Sequence, residues 1–371
     1  MRTRRSVLAT GFAGLAGCSG IISRSHTSRE TVECLNAGAA SARIGFVGDV
    51  MLGRSVNERW TGGDPAGVWG STLSQVEELD GLVLNLECCI AEDGDRWPGK
   101  TYYFRADPSF AIPALERAGA SVVSLANNHT LDFGSTALRE TQAHLDGAEI
   151  AYTGAGKKRN TAVEPAVFES SGLTVATFAL TDQYQEYAAG KSEAGTAFVE
   201  LSNSIPSTRR LVQDIISRTQ SHDPDLIVAS LHWGPNWETE PDKTQEGFAR
   251  WLVEQGVDVV HGHSAHVLQG LEVYQGRPII YDAGDFVDDY VDYVDRQGVR
   301  NKRSAMFELV VTDGTLDELR VVPIHIKDET ATLATGAIAD WVHDTIAERS
   351  APYDVQVKRD GDVLSVPLGE C

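Results

Sequence analysis

Short apolar runs that end in polar motifs recur over more than two hundred residues of this chain and strongly constrain its fold. The runs are rich in β-branched residues and too short for helices, so they predict buried strands. Five polar motifs follow or end them: Gly48–Arg54, Asn85–Glu87, Ala126–Asp132, His232–Gly234 and His261–His266. Strands that end in Asp, Glu, Asn and His bring ligand-type side chains to one edge of a sheet, which is how an α/β protein assembles a metal site.

Helical patterns lie between many of these runs, and this alternation predicts an α/β fold with short loops. The patterns cover residues 71–80, 108–118, 135–146, 208–220 and 243–255. A second group of strand-like runs is less regularly separated by helices and covers 166–169, 173–180, 278–282, 306–312 and 319–326. Thr312–Thr315 has the sequence of a tight hairpin turn. Two sheets packed face to face, with helices outside, suit this order.

The charge composition excludes one class of function. The 371 residues include 53 acidic and 32 basic side chains, a formal charge of −21, and the basic residues are 24 Arg and 8 Lys. An acidic surface poor in Lys keeps a protein soluble in concentrated salt, where screening removes the self-repulsion, so we expect a halophilic protein. Binding to nucleic acid through a basic face is not expected.

The first residues resemble an export signal. Paired arginines in Thr3–Leu8 precede an apolar stretch, and small residues lead to Cys18. This pattern predicts a twin-arginine lipoprotein signal peptide over residues 1–17, with Cys18 lipidated, and a flexible tether over 18–42. An uncleaved membrane helix is disfavoured because Val7–Gly17 is too short to span a bilayer. We therefore expect an exported protein, lipid-anchored at the extracytoplasmic face of the cell membrane.

The rest of the chain divides into two parts. Residues 43–327 predict one catalytic-type domain, and residues 328–371 form a C-terminal extension that the sequence does not place. Cys34 and Cys371 could pair outside the reducing cytosol and join the two ends of the chain, but sequence alone leaves this pairing open.

Two carboxylates stand at the ends of strands. Asp49 follows the run Ile44–Val47, and Glu87 directly follows Leu82–Leu86. An unpaired charge at the end of a buried strand costs several kcal/mol, so either an arginine or a cation must neutralise Glu87. The cation is the favoured alternative, and Asn85 lies on the same face of the strand.

The motif Asn127-Asn128-His129 ends another strand. Adjacent Asn residues often form only a turn or a cap, but that interpretation leaves His129 unexplained. Asn128 offers a neutral oxygen ligand, and His129 offers a proton donor or a nitrogen ligand. Asp132 is near enough in sequence to orient the imidazole. We therefore predict that His129 and Asp132 form the catalytic pair.

Histidines concentrate at two further strand ends. His232 ends one strand-like run, while His261, His263 and His266 crowd the end of another, so that four of the ten histidines lie at two places. Three oxygen and three nitrogen donors form the predicted metal set: Asp49, Glu87, Asn128, His232, His263 and His266. Such a set suits one or two Mn²⁺, Fe or Zn²⁺ ions better than Mg²⁺ or Ca²⁺.

Taken in order, these motifs resemble those of the CapA family, which is implicated in poly-γ-glutamate capsule synthesis. The resemblance runs from about Arg43 to Ile326 and rests on GDVMLGR, NLE, KTYYFRADP, SLANNHTLDFG, LHWG, GHSAHVLQG and YDAGDFVDDY. CapA-like domains are similar to calcineurin-like metallophosphoesterases, and this similarity implies a metallophosphoesterase-like four-layer αββα sandwich.

The same resemblance implies a role for each ligand. Glu87 would take the place of the bridging carboxylate, and His129 would be the general acid beside the leaving group. Asp49 and His266 would bind a first metal, and a second would be held by Asn128, His232 and His263. Met51 stands where the phosphoesterase pattern has a histidine, and the last two histidines are three residues apart instead of two. Whether the site holds one ion or two is left open.

Three further residues are expected to contact substrate. Arg105 could grip a carboxylate or a phosphate with two parallel hydrogen bonds, although a structural salt bridge is an equal alternative. Trp233, which flanks a Gly-Pro turn, and Asp285, on the rim of the site, complete this set. Asp288 and Asp289 are expected to be solvated surface charges.

Three functions are compatible with these expectations. The first is an exported, membrane-anchored CapA-like protein in the synthesis, transfer or anchoring of an anionic cell-surface polymer of poly-γ-glutamate type. It would act through a metal-dependent hydrolase-type site, with capsule synthesis and export proteins as partners. The second is a generic metallophosphoesterase that turns over aryl phosphates until its metal is chelated. The third is a non-catalytic, polymer-binding component of an export complex, which Met51 and the altered histidine spacing favour.

Overall fold

The computed structural model describes residues 35, 38, 40–293 and 299–369 of the chain. The predicted signal peptide, Cys18, Cys34, Cys371 and almost all of the predicted tether lie outside the described residues. Within the described ranges, no helix combines the length and the apolar character that crossing a bilayer requires.

Strands and helices alternate along most of the chain. In chain order, the strands are β1 (Ala42–Val50), β2 (Gly81–Leu86), β3 (Cys89–Ile90), β4 (Arg105–Ala106), β5 (Ala120–Ser124), β6 (Ala151–Thr153), β7 (Ala155–Gly156), β8 (Ala166–Ser170), β9 (Leu173–Thr181), β10 (Gly195–Thr196), β11 (Leu226–His232), β12 (Val259–His263), β13 (Leu271–Tyr274), β14 (Arg277–Ile280), β15 (Asp285–Val287), β16 (Arg303–Thr312), β17 (Thr315–Lys327), β18 (Thr330–Leu333), β19 (Lys358–Asp360) and β20 (Val363–Pro367). The helices are α1 (Arg54–Trp60), α2 (Leu73–Val76), α3 (Pro108–Arg117), α4 (Gly134–Gly147), α5 (Arg159–Ala162), α6 (Pro206–Gln220), α7 (Lys243–Glu254) and α8 (Ala337–Ser350). Short 3₁₀ helices lie at Pro65–Thr72, Gln185–Tyr187 and Ala351–Tyr353.

Two large sheets carry the fold. The first has the strand order β19-β20-β17-β16-β1-β2-β5-β6, with β15 also beside β1 and β18 also beside β17. The second has the order β13-β14-β12-β11-β9-β8. Strands β1, β2, β5 and β6 of the first sheet are parallel, and so are β9, β11, β12 and β14 of the second. Since parallel strands share a direction, the residues that follow them gather at one edge of each sheet.

The two sheets pack face to face, and helices cover both outer faces. Ile44 and Phe46 of β1 lie in the inter-sheet core with Val175 and Val228 of the second sheet. Val47, on the opposite face of β1, packs in a separate core with side chains of α3 and α4. Helices α6 and α7 form a third core on the outer face of the second sheet. The fold is therefore a four-layer αββα sandwich, as predicted.

Helix α7 shows how the local sequence sets these layers. Its first turn is a capping box in which the Asp242 carboxylate accepts the N–H groups of Thr244 (2.7 Å) and Gln245 (2.8 Å). Phe248 and Leu252 are buried on the same face and pack against the second sheet. The capping box thus fixes where the helix begins, and its apolar face packs it onto the second sheet as part of an outer layer.

Most predicted elements are present, with one clear exception. The four helices predicted after residue 100 are α3, α4, α6 and α7. The hairpin between β16 and β17 turns on Asp313 and Gly314, whose φ angles of 50° and 72° are those of a tight two-residue turn. The helix predicted over 71–80 is correct only for the four residues of α2, because residues 71 and 72 end a 3₁₀ helix and residues 77–80 form turns and bends. The 3₁₀ helix is itself kinked at Gly70, whose φ is 46° and ψ −131°.

Residues 328–369 complete the first sheet and its core. Strands β18 and β20 both pair with β17. Val342 and Ile346 of α8, together with Leu364 and Val366 of β20, are buried in the inter-sheet core. The segment that the sequence did not place is thus built into the sandwich.

Candidate metal centre

The polar motifs converge where the carboxyl ends of the parallel strands of both sheets meet. Asp49 lies near the end of β1, and Glu87 directly follows β2. His232 and His263 are the last residues of β11 and β12 and face each other in register. All four side chains are almost completely buried. The first sheet therefore supplies the carboxylates, and the second supplies imidazoles.

Asp49 stands at the centre of two groups of ligand-type atoms. Its Oδ1 lies 3.5 Å from Nδ1 of His263 and 3.8 Å from Nδ1 of His232. Its Oδ2 lies 3.2 Å from Nδ1 of His266. Two sets of side chains each offer ligand atoms within 4.8 Å of one another: Asp49, His232 and His263, and Asp49, Glu87 and His266. Asp49 belongs to both groups, whereas Glu87, for which the family resemblance implied the bridging position, belongs to one of them.

Burial favours the neutral form of both histidines of the first group. Nδ1 of His232 and Nδ1 of His263 lie 3.0 Å apart, while Nε2 of His263 lies 2.9 Å from Oγ of Ser230. Burial lowers the pKa of His232 to about 3, although the nearby Asp49 opposes the shift, and burial also lowers the pKa of His263 well below its ordinary value. A neutral imidazole has a lone pair to give, and a hydrogen bond at the other ring nitrogen sets which nitrogen gives it.

Glu87 is the least satisfied charged group of the cluster. Both of its carboxylate oxygens are buried, and neither accepts a hydrogen bond from any described residue. In the described part of the chain, no lysine or arginine lies within 4.0 Å of it, and its nearest ion-pair partners are Nε2 of His232 (3.7 Å) and Nε2 of His129 (3.8 Å). Burial, reinforced by the neighbouring Asp49, raises the pKa of Glu87 well above its ordinary value. A cation at this position would remove that penalty, and the set of carboxylate and imidazole donors fits a transition-metal ion.

The two adjacent asparagines, Asn127 and Asn128, have different structural roles. Asn127 builds the turn, because its Nδ2 donates to the Leu86 carbonyl (2.9 Å) and its Oδ1 accepts the His129 N–H (3.0 Å). Asn128 instead faces the cluster, with Oδ1 3.1 Å from Nε2 of His232. The turn interpretation therefore holds for Asn127, whereas Asn128 is the asparagine whose side chain reaches the cluster.

His129 and Asp132 form a buried pair. Nδ1 of His129 lies 2.6 Å from Oδ2 of Asp132, and the ring packs edge-on against Phe104 at 4.6 Å between centroids. Asp132 also accepts hydrogen bonds from the Tyr187 hydroxyl (3.0 Å) and the Phe104 N–H (2.7 Å). These contacts fix the carboxylate, which in turn directs Nε2 of His129 toward Glu87.

Lys100 is a site residue that the sequence did not reveal. Its Nζ donates both to the Asn128 carbonyl and to Oδ1 of Asp132. It also lies 4.9 Å from the ring centroids of Tyr184 and Tyr187. One ammonium group therefore ties the Asn128 turn to the His129–Asp132 pair. Lys100 is the first residue of the KTYYFRADP motif, but its contact with Asp132 depends on tertiary packing, so the sequence assigned it no role.

Two of the three predicted substrate-binding residues lie behind the site. Asp285 is buried on β15 and lies 2.8 Å from Nδ1 of His266, so it orients that ring from the interior and is not on the rim. Trp233 is also buried, with its indole N–H donating to the Tyr281 carbonyl (2.9 Å). Trp237 lines the open pocket instead.

The acidic pair that follows Asp285 is buried, so the expectation of solvated surface charge is wrong. Asp288 has no exposed surface, accepts the Tyr290 N–H at 2.6 Å and binds the Lys302 ammonium. Only 2% of the Asp289 side chain is exposed, and it forms an ion pair with Arg54 at 3.0 Å. Nearby basic groups make this burial tolerable.

Met51, which stands where the phosphoesterase pattern has a histidine, does not face the ligand cluster. The side chain is buried in the apolar core under the helices of the first sheet, and its N–H donates to the Val287 carbonyl (2.9 Å). His261 is a further nitrogen donor in the His261–His266 motif. Its ring centroid lies 5.5 Å from that of Phe46, and it belongs to neither ligand group among the described residues. The cluster therefore has no histidine at the place of Met51.

An open pocket of about 650 Å³ leads from solvent to this cluster. Its walls include Asn128, His129 and His266 together with Lys100 and an aromatic rim that contains Trp237 and Tyr290. A molecule in the pocket can therefore reach both the ligand cluster and the His129–Asp132 pair. Fold and site together define an αββα protein with a carboxylate and histidine cluster, a candidate divalent metal site, at the base of an open pocket.

Comparison with known proteins gives the family. The model of the bacterial capsule synthesis protein family PGA_cap matches residues 43–290, and the chain belongs to this family. A relative from Mycobacterium tuberculosis, named "probable polyglutamine synthesis accessory protein", is 30% identical over 363 residues, which cover 84% of this chain and 91% of the relative. The capsule biosynthesis protein CapA of Bacillus anthracis is 29% identical over 310 residues, 79% of this chain and 69% of that protein. These findings confirm the resemblance to the CapA family.

Among solved structures, a purple acid phosphatase from yellow lupin (Lupinus luteus) seeds is similar at a TM-score of 0.37 and 6% sequence identity. The similarity covers 80% of this chain and 53% of the phosphatase, so the chain spans about half the length of that protein.

Proposed function

We propose that this chain acts in the synthesis, transfer or anchoring of an anionic cell-surface polymer of poly-γ-glutamate type, through a metal-dependent hydrolase-type site. The family and the names of the two bacterial relatives support the polymer. Export through the predicted twin-arginine signal, and anchoring through a lipid on Cys18, belong to the same proposal.

The observation that carries the hydrolase-type site is the unpartnered carboxylate of Glu87. Its two oxygens are buried without a donor among the described residues, at a place where Asp49 and His266 also present ligand atoms. A buried carboxylate without a partner costs several kcal/mol. We infer that a divalent cation, Mn, Fe or Zn, compensates for this cost.

The ligands would be the two groups that share Asp49. One position would be held by Asp49, Glu87 and His266, and the other by Asp49, His232 and His263, with Asn128 beside it. A divalent ion bound there polarises an acyl or phosphoryl oxygen and activates water near neutral pH. The absence of a histidine at Met51 is compatible with one occupied position or two.

His129 would act as the general acid that protonates the leaving group. Asp132 holds Nδ1 and stabilises the cationic imidazole, so Nε2 is the nitrogen that faces the pocket. In cleavage or transfer at an amide bond, the protonated ring would give its Nε2 proton to the leaving nitrogen. Lys100 and Tyr187 would keep Asp132 in place while this proton moves.

Metal content per chain tests the ligand cluster. We expect purified wild-type protein to hold one or two equivalents of Mn, Fe or Zn, and a variant with both Glu87→Ala and His232→Ala to lose them, because each candidate position then lacks a ligand. Elemental analysis of both proteins gives the answer. A folded wild type that remains metal-free after incubation with these ions would contradict the proposal and favour the non-catalytic polymer-binding alternative, which Met51 also favours.

Replacement of His129 tests catalysis separately. The His129→Asn variant should retain its metal, since His129 belongs to neither ligand group. The rate of cleavage or transfer of poly-γ-glutamate should fall roughly 10²–10⁴-fold. Polymer length and the number of newly formed amino termini measure this rate. Equal rates in variant and wild type would remove His129 from the mechanism. Turnover of aryl phosphates without any action on the polymer would favour the generic phosphoesterase.

A further inference from the structure

The open pocket that leads to the candidate metal centre is called the catalytic pocket below. A second depression, of about 750 Å³, lies beside it and contains three arginines. Arg54, Arg96 and Arg105 line this depression, which we call the arginine groove. Arg54 and Asp289 line both the groove and the catalytic pocket, so the two spaces adjoin. A chain-like molecule with one end in the pocket can therefore continue into the groove.

Each guanidinium group of the groove lies over an aromatic ring. The Arg105 guanidinium carbon is 4.3 Å from the ring centroid of Phe133, and that of Arg96 is 5.0 Å from Tyr103. The corresponding distance from Arg54 to Phe104 is 4.9 Å. Stacking supports the planar group and leaves the N–H groups at its edge free to donate. Such a guanidinium is prepared to bind a carboxylate with two parallel hydrogen bonds.

Two of these three cations have no carboxylate partner within the described residues. Arg54 is paired with Asp289 at 3.0 Å, but neither Arg96 nor Arg105 has an acidic oxygen within 4.0 Å in the described ranges. This is notable in a chain of formal charge −21, where acidic residues greatly outnumber basic ones. The two guanidinium groups therefore remain available for an external anion.

The acidic residues of the groove do not occupy these two guanidinium groups. The Asp107 carboxylate caps α3, where it accepts the Ser109 N–H at 2.8 Å. Glu58 and Glu92 line the groove but are exposed, and water screens exposed charges. Mixed charge around two free guanidinium groups favours a ligand whose anionic groups are spaced apart over one with a single dense charge.

We propose that the arginine groove is a subsite for a polymer that carries one carboxylate on each repeat unit, with Arg96 and Arg105 binding the carboxylates of repeats that extend beyond the catalytic pocket. This inference rests on the proposed function, because it takes the polymer as the substrate of the adjoining pocket. The two guanidinium groups give the polymer two anchoring points on a protein whose overall charge repels it. It also favours long anionic chains over small phosphoesters, which cannot reach both the pocket and the groove.

Binding of a short γ-linked glutamate oligomer tests the subsite. The groove variant combines Arg96→Gln with Arg105→Gln, and the matched control combines Arg209→Gln with Arg210→Gln on the exposed side of α6. Both variants change the net charge equally, but α6 lies on the outer face of the second sheet. We expect the groove variant to raise the Kd of the oligomer about tenfold and the control to leave it within about twofold. A γ-linked oligomer of the same length in which each α-carboxylate is converted to a primary amide (γ-linked isoglutamine) lacks the repeating charge, so it should bind the wild type weakly and should not distinguish the variants.

The outcomes separate the subsite from the proposed function. Equal Kd values for the groove variant and the control overturn the subsite, whatever the metal content. Loss of affinity in the groove variant, together with a metal-free wild type that has no turnover, supports the subsite and rejects the hydrolase-type site. Arginine-dependent binding to phosphatidylglycerol vesicles, without arginine-dependent binding of the oligomer, would assign the groove to the membrane surface and overturn the proposal.

Discussion

Three buried carboxylates of the candidate site differ sharply in how their charge is satisfied. Asp132 accepts hydrogen bonds from Tyr187 and the Phe104 N–H and also binds Lys100. Asp49 accepts the Ser264 N–H at 3.1 Å. Glu87 accepts no hydrogen bond from the described residues. At the scale of single residues, the described side chains and backbone compensate the charge of Asp132, whereas they leave both oxygens of Glu87 without a donor.

The substitution Glu87→Gln should separate metal binding from stability. In metal-free protein, the amide removes a buried charge without changing the shape of the side chain, so the free energy of unfolding should stay equal or rise. An ion at a concentration of about one hundred times its Kd should stabilise the wild type by about 2.7 kcal/mol and the variant by much less. Denaturant unfolding with and without metal measures both effects, and Glu116→Gln on the exposed side of α3 is the control. A variant that gains as much stability as the wild type would show that Glu87 is not a ligand.

Lys100→Met should be costly because it leaves the Asp132 charge less compensated. Removing one partner of a buried ion pair typically costs about 3–5 kcal/mol, and we expect the lower end because Tyr187 and the Phe104 N–H remain. The exposed Lys191→Met control should change stability by no more than about 0.5 kcal/mol. Denaturant unfolding of both variants tests this difference. Equal stabilities would mean that the Lys100 contacts contribute nothing measurable.

At the scale of elements, the loop that follows His263 at the end of β12 and carries His266 has a strained backbone. Ser264 has a φ of 113° and His266 a φ of 59°, both in the region that favours glycine. The Asp282 carboxylate ties this loop to the end of β14 by accepting the Ala265 N–H at 2.7 Å. The Ser264 N–H in turn reaches Asp49. Backbone strain at this loop is thus coupled to the position of the central carboxylate.

The substitution Ser264→Gly should relieve part of that strain. Most substitutions destabilise a protein, but here we expect the free energy of unfolding to rise by about 1 kcal/mol, after the extra entropy of glycine in the unfolded chain is counted. The backbone N–H that serves Asp49 is retained, so metal content should not change. Ser217→Gly, at an exposed position inside α6, should instead lose about 0.5 kcal/mol. Destabilisation of similar size at both positions would show that the loop is not strained.

The sequence predicted the elements whose signals are local and missed contacts that depend on tertiary packing. Asp49, Glu87 and His232 could be expected to meet because each stands at the end of a strand-like run, and the structure brings them together. Trp233 is turned into the interior because alternation along the strand sets its direction opposite to that of His232. Lys100 lies in a loop, and only the fold brings its long side chain to Asp132.

At the scale of the whole molecule, the C-terminal segment closes the space between the sheets. Helix α8 and strand β20 place apolar side chains in the inter-sheet core, among them Val342, Ile346, Leu364, Val366 and Leu368. Each buried side chain of this kind contributes about 1.5–3 kcal/mol. Together they approach the total stability of a typical domain, which is about 5–15 kcal/mol.

Truncation after Leu333 should therefore abolish cooperative folding. The shortened protein would expose the inter-sheet core beside β17, and we expect aggregation or a broad, non-cooperative thermal transition. Size-exclusion chromatography and circular dichroism during heating measure both. A control that lacks only Glu370 and Cys371 should retain the wild-type transition, assayed under reducing conditions. A monomeric truncated protein with an unchanged melting temperature would contradict the structural role of the segment.

The division of the ligand cluster between two sheets has a consequence for the order of events during folding. The hydrogen bond from Ser264 to Asp49 joins positions 215 residues apart, and neither sheet alone carries a complete set of donors. During synthesis, the carboxylates Asp49 and Glu87 leave the ribosome long before the histidines of the second sheet, so each candidate ligand group of the described residues is completed only by side chains distant in sequence. For the metal site proposed above, selection of the ion would then wait until the sheets dock, and the supply of metal in the compartment where docking finishes would decide which ion the protein acquires.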